Sequence, residues 1–91
     1  MNTANAIAQA IAAKIANTTL SSWRIGLTHD HVERKRYWGL SAGHNTSRWT
    51  AWQAACLEDA QRIEAFFIDK GMKGGTGGDL SPNRPVFVYV F

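Results

Sequence analysis

PVFVYVF, residues 85–91, decides the fold. Apart from Tyr89 it carries no polar side chain, and Val, Phe and Tyr are the residues that fit a pleated surface. A strand that is apolar at nearly every position has no water-facing side. It therefore reads as the central strand of its sheet, buried on both faces.

The rest of the chain is read outward from that strand. Residues 71–78, GMKGGTGG, hold five glycines in eight positions. Before them, residues 57–70 (LEDAQRIEAFFIDK) place Leu57, Ala60, Ile63, Phe67 and Ile68 at helical spacing. Acids open that helix and Lys70 closes it, as the helix dipole prefers, and Gly71 is its C-cap. Residues 49–55 (WTAWQAA) read as a short strand and residues 41–48 as a polar loop. Asp30 caps a further helix, with Glu33 in the capping-box position; that helix runs to about Trp38 and ends at Gly39. Residues 22–28 (SWRIGLT) alternate around Trp23, Ile25 and Leu27, which predicts a strand with Gly26 as a tight spot. Residues 3–16 put Ile7, Ile11 and Ile15 on one helical face, with Thr3 or Asn2 as the cap.

The order helix, strand, helix, strand, helix, strand predicts an α/β or α+β fold. Its sheet is small, three-stranded, and mixed or antiparallel, with helices on its flanks. The expected organisation is an amphipathic N-terminal helix over 1–20 followed by one domain over 21–91. The isoleucine face of that helix packs on the domain or on a second copy, which makes a homo-oligomer a candidate assembly.

Composition bounds the function. With 91 residues the chain is one domain that buries roughly 60–65% of its unfolded surface. Apolar residues make up 45%, and four are Trp, each worth roughly 150–250 Å² of buried area, so a core is attainable. Cys56 is the one cysteine, which excludes an internal disulfide framework. The longest apolar run falls far short of the roughly 18 residues that span a bilayer. The first residues lack the basic and strongly apolar segments of a secretion signal. These features predict a cytoplasmic protein with no membrane partner. The net charge of +3 suits a nucleic-acid or nucleotide partner without requiring one.

Several residues are candidates for chemistry. Glu64 shares a helical face with Ala60, Ile63, Phe67 and Ile68. A carboxylate in such a stripe either sits at its edge, reaching solvent or an Arg, or serves as a metal ligand or an acid facing a cleft. Arg34, Lys35 and Arg36 read first as a solvated helix face. Arg34 also shares a side with Trp38, which turns it toward the sheet edge, where it can clamp a phosphate. The glycine loop follows a helix and lacks the Lys-Ser/Thr ending of a phosphate-binding P-loop. It is either a connector or an anion cradle built from Lys73, Gly74, Gly75 and Thr76. His29, His31 and His44 lack the spacing of a zinc site. Arg24 and Arg36 complete the candidate phosphate contacts.

Residues 24–34, RIGLTHDHVER, resemble the second half-motif of the GIY-YIG nucleases: a Tyr-Ile-Gly strand, a Thr, a turn, and a helix with an essential Arg. Ile25, Gly26, Thr28 and Arg34 match. Residues 57–68 are similar to the family's later helix, with Ala60 and Glu64 at the matching positions. The resemblance covers about residues 22–70. Arg24 stands where the family has Tyr, and no Gly-Ile-Tyr strand precedes it. In a circularly permuted arrangement the strand over 85–91 takes that missing place and Tyr89 is the nearest equivalent of its tyrosine.

The resemblance implies Mg²⁺-dependent phosphodiester cleavage. Glu64 would hold the metal, Arg34 would neutralise developing charge, and Tyr89 or His29 would activate water. Its alternatives are an inactive relative that binds DNA, RNA or a small nucleotide, such as an inhibitor or sponge in phage–host conflict, and a protein-interaction module.

Overall fold

The computed structural model describes residues 2–74 and 80–91. Helix α1 spans Ala4–Ile15, strand β1 Arg24–Thr28, helix α2 His31–Arg36, strand β2 Thr50–Gln53, helix α3 Leu57–Lys70, strand β3 Lys73–Gly74 and strand β4 Phe87–Val90. The strands form one mixed sheet in the order β2-β4-β1-β3. The fold is thus small α+β, with four strands rather than the expected three. The additional strand, β3, pairs parallel with β1 through Arg24–Lys73 and Ile25–Gly74. A Lys-Gly pair has no alternating apolar pattern, so nothing local announces it.

Strand β4 is central, as its composition predicts. It runs antiparallel to β1, with Gly26 opposite Tyr89, and antiparallel to β2, with Ala51 opposite Tyr89. Alternation then sorts the side chains onto two faces. Ile25, Leu27, Val88 and Val90 point to one face and meet Ile7, Ile11 and Ile15 of α1 and Ala60, Ile63 and Phe67 of α3. Ile7 and Ile11 are completely buried there. Full burial of each such side chain contributes roughly 1.5–3 kcal/mol. The isoleucine stripe of α1 is therefore spent inside the chain's own core and is not a free face for a second copy.

The opposite face carries a smaller cluster of Trp38, Tyr89 and Phe91, with Trp49 and Ala51 packed against it. The chain reaches this face through α2. Asp30 caps α2 by accepting from the N–H groups of Val32 and Glu33, both at 3.1 Å. The helix does not stop at Gly39. It continues as one wide turn over Tyr37–Ser41, in which the Ala42 N–H donates to the Tyr37 carbonyl. Gly71 ends α3 with φ 122°, a left-handed value that glycine accepts without a Cβ clash.

Candidate functional site

Arg24, Gly26 and Thr28 alternate onto the face that carries Tyr89. Gly26 is the floor of the site. A Cβ at that position would lie 2.3 Å from the Tyr89 hydroxyl and 2.4 Å from its Cζ, so the phenol ring crosses the strand where no side chain stands. Trp49 stacks on the ring from the β2 side, with centroids 4.5 Å apart and planes 12° from parallel. The Trp38 Nε1–H donates to the Tyr89 oxygen at 2.9 Å. The wide turn after α2 is what brings Trp38 there, and the His44 N–H pins the following loop to the Trp38 carbonyl at 2.8 Å. Tyr89 is completely buried in this setting.

Three charged side chains act on that hydroxyl. Burial pushes the Tyr89 pKa up. The Trp38 hydrogen bond and the charges of Arg34 and Arg24 pull it down, and the Glu64 carboxylate pushes it up again. The phenol stays protonated at neutral pH. The charges of Arg34 on α2, Arg24 on β1 and Glu64 on α3 are thus all felt at one point on the sheet.

Arg34 lies 5.5 Å from the Tyr37 ring centroid and lines a cavity of about 320 Å³ with Thr28, Glu33 and Arg84. The Arg24 guanidinium sits 4.9 Å from the Trp38 ring centroid and donates to the Gly74 carbonyl, next to Lys73. Glu64 is half-buried, and desolvation raises its pKa above the ordinary carboxylate range. Among the described residues it has no ion-pair partner, the one such pair being Arg62–Asp59. A half-buried carboxylate with no ion-pair partner among the described residues has its charge uncompensated there. Among the described residues no three His, Cys, Asp or Glu side chains gather. A cation would therefore rest on Glu64, with water and phosphate oxygens filling its shell, a coordination that Mg²⁺ accepts.

The other sequence candidates take other roles or lie elsewhere. His29 accepts from the Ser81 N–H at Nε2 (2.9 Å), so Nδ1 carries the proton and donates to the Pro85 carbonyl at 2.8 Å. Its lone pair is committed, and it ties the segment before β4 to the end of β1 instead of facing the site as a base. Tyr89 is buried and protonated, so it holds the surrounding groups in place and does not itself meet a water. Arg36 is exposed on α2, away from both cavities lined by Arg34 and Arg24. Gly75 and Thr76 lie outside the described residues, and with them most of the anion-cradle reading.

No family model, curated protein or solved structure matches the chain. What the sequence reading missed is Trp38 as the partner of Tyr89, and Arg48. The Arg48 guanidinium stacks 3.7 Å from the Trp23 ring centroid. The one available signal was its place in Ser47-Arg48-Trp49, a cation beside an aromatic.

Proposed function

We propose that this face binds nucleic-acid phosphate, on a GIY-YIG-like scaffold in which β4 stands in for the family's first strand. One observation carries the reading. Arg24, Gly26 and Thr28 share the Tyr89 face of β1, and Arg34 of α2 lines a cavity with Thr28 at the end of that face. Two guanidinium groups fixed by aromatic rings are suited to bidentate contacts with phosphate oxygens. The pairing of β4 with β1, with Tyr89 opposite Gly26, supports that placement of β4.

Phosphodiester cleavage is the second reading, and Glu64 favours it. A divalent cation held by that carboxylate would polarise the phosphate and stabilise the departing oxygen. Arg34 and Arg24 then hold the phosphate against Glu64, and the Tyr89–Trp38 pair keeps Arg24 and Arg34 on a rigid floor.

Both readings are tested together. In EDTA, a labelled oligonucleotide should bind with a salt-dependent affinity. Arg34→Gln should weaken it and flatten the slope of log K against log salt by about 0.7–0.9 for each phosphate contact removed. Absence of binding at low salt overturns the proposal. In Mg²⁺ or Mn²⁺, nicking of supercoiled plasmid that disappears in Glu64→Gln supports cleavage, and equal traces for the two proteins refute it.

A further inference from the structure

A second basin lies at the start of β1, about 420 Å³ in volume. Its rim carries Arg24, Arg48 and Lys73 together with the polar side chains of Ser22, Asn45 and Ser47. No described residue lining it is acidic. The three cations come from β1, the loop before β2, and β3, so the sheet order itself brings them together.

The two arginines are held in place before any ligand arrives. Arg48 lies flat on Trp23 and donates one Nη2–H to the Ser22 carbonyl at 2.7 Å. Arg24 is held over Trp38 and donates one Nη1–H to the Gly74 carbonyl. A guanidinium has five N–H donors, so each retains most of its donors for a ligand. Structural pinning explains the spent N–H of each arginine. It does not explain why Lys73 joins the same rim, where no described lining residue carries an acidic side chain to balance three charges. Phe91 also lines the basin, and its main-chain oxygen accepts from the Arg24 N–H at 2.7 Å. The loop wall is fixed as well, since the Ser47 N–H donates to Asn45 Oδ1 at 2.9 Å.

Resting on the phosphate-binding reading of the adjoining face, we propose that this basin is a phosphomonoester subsite. It takes a dianionic terminal phosphate, at the end of a nucleic-acid strand or free in solution. A dianion with three outward oxygens matches three cations and a polar rim better than the single charge of a bridging phosphodiester does. The volume admits a phosphate with its sugar.

The test compares 5′-phosphorylated and 5′-hydroxyl oligonucleotides of one sequence by fluorescence anisotropy in EDTA, which keeps cleavage out of the readout. The intact protein should bind the phosphorylated strand at least ten times more tightly. Arg48→Gln and Lys73→Gln should each reduce that preference to under threefold while the 5′-hydroxyl strand binds as before. Lys73 is exposed and its side chain holds no element in place, so this variant serves if Arg48→Gln unfolds. Inorganic phosphate should compete for the preference. Competition at micromolar concentration identifies free phosphate as the occupant, and competition only at millimolar concentration identifies the strand end. Equal affinity for the two strands, or a preference that survives both substitutions, overturns the proposal. If neither strand binds at all, the wider reading of the face fails. If both bind alike, only this subsite fails.

Discussion

Gly26→Ala should be among the most damaging small substitutions in the protein. The new Cβ would stand 2.3 Å from the Tyr89 hydroxyl, 2.4 Å from Cζ and 2.9 Å from Cε2. A phenol at a surface would swing aside. Tyr89 has no such freedom, because it is completely buried, stacked under Trp49 and tied to Trp38. Overpacking a core of this kind costs about 1–3 kcal/mol, and losing the Trp38 hydrogen bond adds about 1 kcal/mol. The sum, about 2–4 kcal/mol, is a large part of the roughly 5–14 kcal/mol expected for a chain of 91 residues. Thermal unfolding followed by circular dichroism should show a Tm lower by about 10–30 °C. The urea midpoint should fall with an unchanged slope. Tyr89→Leu on the alanine background removes the ring and hence the collision. The pair should therefore be more stable than the sum of the two single losses, by at least about 1 kcal/mol in a double-mutant cycle. A Tm for Gly26→Ala within 3 °C of the parent protein, or strictly additive losses, would refute the close crossing of ring and strand.

Three further outcomes follow from the same contacts. Tyr89→Phe keeps the stacking but leaves the Trp38 N–H buried without an acceptor, so it should cost about 1–3 kcal/mol in chemical denaturation. Glu64→Gln should raise the Tm at neutral pH, because desolvation penalises the ionised carboxylate in the folded state. That penalty is full above the raised folded pKa. It shrinks as the pH falls through it and is absent below the ordinary carboxylate value, where both states are protonated, so melting curves of the two proteins should converge in acid. Ile11→Ala, at a completely buried position of α1, should cost about 2–5 kcal/mol and would do so at any protein concentration, since the stripe packs within one chain.

Much of this fold was legible in the sequence where one element could be judged by its own residues. The spacing of Ala60, Ile63 and Phe67 with Gly71 behind them defines α3. The unbroken apolar run of β4 announces a strand with no wet side. Legibility stopped where a structure is made by its partner. Strand β3 exists because Arg24 and Ile25 offer it a free edge, and two residues have no periodicity to read. The helix after Asp30 passes Gly39 because Trp38 is anchored to Tyr89, 51 positions away. The candidate site divides in the same manner. Arg34 and Glu64 stood out by place and type, whereas the commitment of His29 to Ser81 and Pro85 depends on contacts more than fifty positions off. The basin holding Arg48 draws on three separated segments and has no linear signature.

The central place of β4 has a consequence for how the chain reaches its native state. Strands β1 and β2 are synthesised well before β4 and have no hydrogen bonds to each other. Until β4 is available they are two separate ribbons, each missing the same neighbour. A nascent chain halted before residue 87 thus has at most the short β1–β3 pair, with nothing to join it to β2. It holds helices around an open slot, and the slot closes in one cooperative step that orders both faces at once. Such an intermediate offers two unpaired strand edges on either side of a gap one strand wide, and any extended segment of matching pattern can compete for it before β4 arrives.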